Sequence, residues 1–326
     1  MKVFVTGAGG FIGRALLRQL VKQGDEVIAL VRKSVFELPK EVRLVYGDIL
    51  APDSWKGSVS GCQILYHLAA FVSFDPRQRR QLQLVNAKGT EEVLKAACCS
   101  NVATTVVVSS ACTLGLSYEK DKLLDETSAA DKKLIDHNPY LESKLLQEGE
   151  ALIASKRQRV VIVNPTTVYG PGDWSLNSGT LIKQVAGSIF LPVPSGGSNT
   201  VDVEDVAGGI ILAARRGSSG QRYVIGGQNL TFQEIFQVIS QAVRRKPIFI
   251  PLASAMRFPL SLSAGIFGRL TNSRFITPQI INDMFIFKYY STELAESCLG
   301  FKKRYSFQET IQRALGFYRE NNLLTI

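Results

Sequence analysis

Short apolar runs rich in β-branched residues alternate, along the first half of the chain, with longer stretches whose apolar positions recur at helical spacing. The runs occupy the opening residues up to Thr6 and then 26–31, 42–46, 63–68, 105–108 and 160–163. Between them, residues 11–23, 86–97 and 140–154 read as helices, the first with Phe11, Ile12, Ala15, Leu16, Leu17 and Leu20 on its apolar side. Fully apolar strands separated by amphipathic helices predict an α/β fold built on a doubly wound parallel sheet. The alternation breaks after Gly172. Beyond it the pattern predicts helices over 180–186, 205–215 and 232–243, a strand over 221–225, and a last helix from Phe307 through Tyr318. Thr231 with Glu234, and Ser306 with Glu309, have capping-box spacing. The polar tail after Arg319 is expected to fray.

Candidate chemistry begins where the first strand meets the first helix, at Gly7-Ala8-Gly9-Gly10-Phe11-Ile12-Gly13. A glycine turn between strand and helix is the setting of a dinucleotide-binding fingerprint. Gly7 allows a tight turn, Gly10 lets backbone approach a pyrophosphate at the helix N-terminus, and Gly13 lets the helix pack on the sheet. The spacing is G-x-x-G-x-x-G. The second strand ends in Arg32-Lys33, where NAD-selective sites carry a carboxylate for the ribose hydroxyls. A basic residue there suits a 2′-phosphate, which favours NADP over NAD. Asp48, before Ile49, is a candidate partner for the adenine amino group. Small residues at Ala69 and Ala70, after Leu68, leave room for a cofactor. His67 is read as a packed strand residue, and His137 as leading into the third helix.

Tyr140 and Lys144 stand four apart on that helix and so share a face. A cation beside a phenol is expected to lower the phenol pKa and fit it for proton transfer. Ser110 follows the 105–108 strand, at the carboxyl end of the sheet where ligands of open parallel sheets sit. Its hydroxyl can bond a substrate oxygen and Tyr140. Pro165, after the next strand, and Val168 begin a loop placed to lie against a nicotinamide. Gly170-Pro171-Gly172 punctuates the chain. The expected organisation is a dinucleotide-binding Rossmann domain at 1–171 and a smaller, mainly substrate-binding domain at 172–326. Roughly 200–228 is expected to return to the Rossmann core.

Taken together, these motifs resemble the extended, atypical short-chain dehydrogenase/reductases. The likeness rests on Thr6-Gly7 through Gly13, Gly47-Asp48, His67 to Ala70, Asn86, Ser109-Ser110, Tyr140 with Lys144, Asn164-Pro165, the 168–172 segment and 201–207. It is nearest to the branch with dihydroflavonol-4-reductases, 3β-hydroxysteroid dehydrogenases and NAD-dependent epimerase-dehydratase-like proteins. The resemblance implies a catalytic trio of Ser110, Tyr140 and Lys144, with Asn86 supporting the active-site helix. The implied cofactor surface comprises Gly7, Gly10, Phe11, Ile12, Gly13, Arg32, Lys33, Asp48, Ile49, Leu68, Ala69, Ala70, Tyr140, Lys144, Pro165 and Val168.

Composition narrows the picture less. The chain has 326 residues, 45% of them hydrophobic, enough to bury a sizeable core. Its net charge of +10 comes from scattered basic residues, with no nucleic-acid motif. Five cysteines without metal-binding spacing read as buried thiols of a reducing, cytoplasmic protein. No signal peptide and no membrane span are expected; the most apolar stretch, 247–270, is interrupted by Arg257 and Pro259. That stretch is expected to wall an apolar pocket, with a dimer interface or a membrane surface as alternatives. Between 173 and 202 the sole basic residue is Lys183, a poor clamp for a nucleotide sugar. The reading is therefore an NADP-dependent oxidoreductase interconverting a ketone or aldehyde and an alcohol on a bulky, fairly apolar small molecule. Alternatives are a nucleotide-sugar epimerase with transient hydride transfer, or a non-catalytic NADP-binding sensor or scaffold. A homodimer is permitted; no metal site is expected.

Overall fold

The structure, a computed structural model, describes residues 1–33, 37–136, 138–176, 178–271 and 278–324, with backbone alone at 133–134, 266–271 and 279–280. His137 lies outside the described residues. The first half runs β1 (Lys2–Thr6), α1 (Phe11–Lys22), β2 (Glu26–Val31), β3 (Arg43–Tyr46), β4 (Ile64–His67), α2 (Arg79–Gln83), α3 (Gly89–Cys99) and β5 (Thr104–Val108). It continues through α4 (Lys132–Asp136), α5 (Pro139–Ala154), β6 (Val160–Pro165) and β7 (Thr167–Tyr169). The second half contains α6 (Gly179–Gly187), β8 (Phe190–Pro194), β9 (Gly197–Asp202), α7 (Val203–Arg216), β10 (Arg222–Ile225) and β11 (Gln228–Thr231). It ends with α8 (Phe232–Ala242), β12 (Ile248–Leu252), α9 (Arg257–Thr271), α10 (Pro278–Asp283), β13 (Phe287–Lys288) and α11 (Phe307–Glu320).

Seven strands form one sheet in the order β10-β6-β5-β4-β1-β2-β3. Every pairing in it is parallel. This is the doubly wound order, with its crossover point between β1 and β4. The strands are buried on both faces, and the two-residue side-chain period sorts them. Val3, Val5, Val106, Val108, Val161 and Val163 pack with α1 and α7. Phe4, Ile28, Leu30 and Leu65 pack with α3 on the other side, and Val107 and Ile162 pack there with Leu94 and Ala151. A second core gathers Ile182, Leu191, Val193, Ile235, Phe236, Ile239, Phe307 and Ile311.

Three local expectations are corrected. The helix expected from 86 begins at Arg79 and passes through a π-turn, Leu84–Lys88, before α3. Its polar first turn carries no apolar period to reveal it. Several strands of the second half, β8, β9, β11 and β12, were not anticipated. Short and rich in proline, glycine and polar residues, they form only through tertiary pairing. As far as Leu324 the tail does not fray after Arg319: the Leu323 N–H donates to Tyr318 O and Leu324 is buried in the second core. Both capping boxes form.

Candidate active site

The glycine turn is shaped by what its neighbours forbid. Gly7 has φ +70, and a Cβ there would lie 2.5 Å from Ala69 N and from Leu68 C. The β1 turn therefore rests directly on the end of β4. A Cβ on Gly13 would lie 2.3 Å from Gly7 O and 2.9 Å from Ala8 O, so Gly13 packs against the turn itself. Gly10 differs: the nearest atom to a Cβ would be Gly7 O at 3.2 Å, and its other side is open. As N-cap of α1 it supplies no side-chain cap, and the first turn has no acidic residue. These are the properties of a seat for an anionic pyrophosphate, so the residues present fit a dinucleotide.

Arg32 and Lys33 are exposed at the end of β2. Arg14, in the first turn of α1, donates its Nε to Gly9 O at 3.1 Å and its Nη1 to Glu37 O at 3.4 Å. A cavity of about 230 Å³ beside it, lined by Arg14, Arg18, Trp174 and Phe317 among others, shares no residue with Ser110, Tyr140 or Lys144. Asp48 makes an Asx turn, its Oδ1 accepting from Leu50 N at 2.9 Å, while Ile49 is buried. Val168 lies in β7 beside Pro165, the last residue of β6.

Ser110 and α5 meet at the carboxyl end of β5. Ser110 caps a short turn, its Oγ accepting from Cys112 N at 3.4 Å. It also interacts with the Tyr140 hydroxyl, which favours the ionised phenol. Burial outweighs that and pushes the Tyr140 phenol well above its ordinary value. The expectation that Lys144 lowers it is thus corrected. The Lys144 ammonium is instead directed to Val108 O at 3.2 Å and Gln147 Oε1 at 2.8 Å. Burial lowers Lys144 to about 8, with Cys112 and Glu148 opposing. The Phe74 and Tyr140 rings pack edge to face, with centroids 5.6 Å apart.

Two buried networks brace this corner, and neither was read from the sequence. In the first, Lys144 holds Gln147 Oε1, which fixes the amide and turns Gln147 Nε2 to Thr90 Oγ1 at 3.1 Å. The Thr90 hydroxyl donates to Asn86 O at 2.6 Å and meets His67 Nε2 at 2.8 Å. Its proton is thus committed, and His67 must donate from Nε2. His67 Nδ1 then accepts from the Thr6 hydroxyl at 2.7 Å, whose oxygen accepts from Ala69 N at 3.2 Å. Complete burial holds His67 neutral, its pKa lowered to about 3. His67 is the packed strand residue expected, but it also ties the glycine turn to Lys144.

In the second network, Glu148 Oε1 accepts from Thr113 Oγ1 at 2.7 Å and Asn164 Nδ2 at 2.6 Å. Asn164 Nδ2 also donates to Ser110 O at 3.1 Å. Glu148 thereby links α5 to the Ser110 turn and the end of β6. The signal was present in the sequence: Tyr140, Lys144, Gln147, Glu148 and Ala151 fall at spacings of three or four, yet most are polar. Asn86, in the π-turn, clamps the Phe71 backbone in both directions and donates to Ser143 Oγ of α5 at 2.9 Å.

The cysteine expectation is corrected in part. Cys62 is buried and Cys112 half-buried, but Cys98, Cys99 and Cys298 are exposed on helical surfaces. Burial pushes the Cys112 thiol up to about 11. Among the described residues there is no cluster suited to a metal ion, and no helix long and apolar enough to cross a membrane.

A doubly wound sheet, an uncapped glycine turn at β1 and a Ser-Tyr-Lys corner at β5 together define a dinucleotide-dependent oxidoreductase of the short-chain type. The chain belongs to the NAD dependent epimerase/dehydratase family, whose model matches residues 3–226. It is 34% identical over 269 residues, 77% of each chain, to a Synechocystis sp. protein named dihydroflavonol 4-reductase. It is 30% identical over 247 residues, 74% of each chain, to the sterol demethylase protein B of Methylococcus capsulatus. The crystal structure of gox2253 superposes with a TM-score of 0.85 at 28% identity, covering 99% of both chains.

Proposed function

We propose that the protein is an NADP-dependent reductase that interconverts a carbonyl and an alcohol on a bulky, largely apolar substrate. The observation that carries this reading is the meeting of Ser110, Tyr140 and Lys144 at the carboxyl end of β5, beside the glycine turn. A nicotinamide dinucleotide held at the glycine turn would supply or accept the hydride. Tyr140 gives the proton to the substrate oxygen in reduction and takes it back in oxidation. Its raised pKa keeps the phenol protonated, ready to act as the acid. Ser110 orients the substrate oxygen and stabilises charge that develops on it. Lys144, held by Val108 O and Gln147, has a proton to spare for the cofactor ribose.

Arg32 and Lys33 at the end of β2, with Arg14 bonded to the glycine turn at Gly9 O, favour the 2′-phosphate of NADP. The names of the two relatives, a dihydroflavonol reductase and a sterol-processing protein, support an apolar substrate. Cofactor oxidation with NADPH and with NADH, across aromatic ketones, steroids and aldehydes, tests the reading. The expected result is stoichiometric NADPH consumption with alcohol formation, slower with NADH. An Arg32→Ser variant is expected to weaken NADPH binding roughly tenfold or more and leave NADH unchanged. Interconversion of a nucleotide sugar with no net cofactor use would overturn the proposal.

A further inference from the structure

The strands β8 and β12 form a two-stranded parallel ribbon that pairs with no other strand among the described residues. Its register sets Phe190 opposite Ile248 and Pro192 opposite Ile250. The inward positions Leu191 and Val193 are buried in the second core, and Phe249 packs against it. The outward positions are apolar as well. Phe190 is 61%, Ile248 57% and Ile250 44% exposed, with Ile189 at 74% beside them. A half-buried ribbon facing only water should alternate apolar with polar residues; this one does not.

Basic residues border the apolar face. Arg244, Arg245 and Lys246, all exposed, lead directly into β12. Exposure then alternates, with 246, 248 and 250 exposed while 247 and 249 are half-buried. Extended backbone therefore carries Lys246 on the same face as Ile248 and Ile250.

The ribbon also resists two other kinds of occupant. The Ile248 N–H donates to Ile189 O, so the odd residues of β8 and the even residues of β12 bond within the ribbon. The outer edges then hold Phe190, Pro192 and Pro194 on one side and Phe249 and Pro251 on the other. Proline has no N–H, so an added peptide strand finds few donors. A second copy of this face would offer the basic border no partner, since β8 and β12 carry no Asp or Glu. An anionic lipid surface instead satisfies both the apolar face and its basic border.

We propose that the β8–β12 ribbon docks the protein on anionic phospholipid bilayers, with Phe190, Ile248 and Ile250 entering the interface and Arg244, Arg245 and Lys246 meeting the headgroups. This goes beyond the reductase reading and does not depend on it. Co-sedimentation of the full chain with vesicles of equal parts phosphatidylcholine and phosphatidylglycerol, against pure phosphatidylcholine, tests it. Binding is expected to the anionic vesicles and to weaken as salt rises. Replacing any one of the three basic residues by Ser should weaken binding about fivefold. The exposed-site variant Phe190→Ser/Ile248→Ser should weaken it at least about tenfold, with the circular dichroism spectrum and cooperative thermal unfolding retained as the control for folding. Absence of binding to the anionic vesicles, or binding that the Phe190/Ile248 variant leaves intact, would overturn the proposal. So would a concentration-dependent dimer, without vesicle binding, that the same variant abolishes.

Discussion

Tyr140 and His67 show how one physical cause, burial, shifts pKa in opposite directions and leaves both residues neutral. Burial keeps the Tyr140 phenol protonated, which suits an acid, and keeps the His67 imidazole neutral, which suits a brace. On the proposed mechanism, Tyr140→Phe removes the proton that is transferred and little else. Its turnover should fall by roughly 10²–10⁴-fold while NADPH affinity is retained, as single-turnover and fluorescence titration can show. His67 carries a stability consequence with a definite sign. Its folded pKa is about 3, far below the ordinary 6.5. Between those values the unfolded chain binds a proton that the folded chain refuses, so stability falls as pH drops below 6.5. From pH 7 to 5 the loss due to this residue is about 2 kcal/mol. Urea unfolding at both pH values should show a smaller difference between them in His67→Gln.

Helix α5 is the element on which the site depends. It carries Lys144, Gln147 and Glu148 on its buried side and the half-buried Tyr140 in its first turn, so its position sets the Ser-Tyr-Lys geometry. Asn138 starts it, its Oδ1 accepting from Leu141 N at 3.0 Å, with Pro139 at the first helical position. Glu148, two turns beyond Tyr140, holds the Ser110 turn through Thr113 and Asn164. Glu148→Leu keeps apolar volume but removes the acceptor. Ser110 then loses its register against α5, and kcat should drop on the order of 10- to 100-fold with NADPH affinity little changed. Equal losses in kcat and cofactor affinity would point to general damage of the helix.

At the scale of the whole molecule, helix α7 joins the sheet to the C-terminal segment. Arg18 of α1 reaches Glu204 at 2.8 Å, and Arg313 of α11 bonds Asp202 at 2.5 Å. Asp205, buried in α7, accepts from Arg304 Nε at 2.8 Å and from the N–H groups of Arg304 and Tyr305. Asp205→Ala strands these donors and should cost about 2–3 kcal/mol, read as a lowered Tm. Restoring the acceptor as Asp205→Asn should recover part of the loss.

Periodicity and short-range chemistry made the sheet strands, the main helices, both capping boxes and the glycine turn legible, because each rests on neighbours in the chain. Ser110, Tyr140 and Lys144 were legible for the same reason: a strand end and an i, i+4 pair are local patterns. The His67–Thr90–Gln147 and Glu148–Asn164 networks were not, since directly bonded members stand up to 61 positions apart, as Thr6 and His67 do. Nor was the direction of the Tyr140 shift: the i, i+4 spacing suggests a lowered phenol, whereas desolvation in the folded chain raises it. The ribbon strands β8 and β12 are short and proline-rich, and become strands only by pairing with each other. The order of apolar and polar residues thus determines which segments fold and what chemistry they carry. Tertiary packing decides which buried groups share protons and which apolar face is left open to water, because hydrogen bonding and desolvation act through space, whatever the distance along the chain.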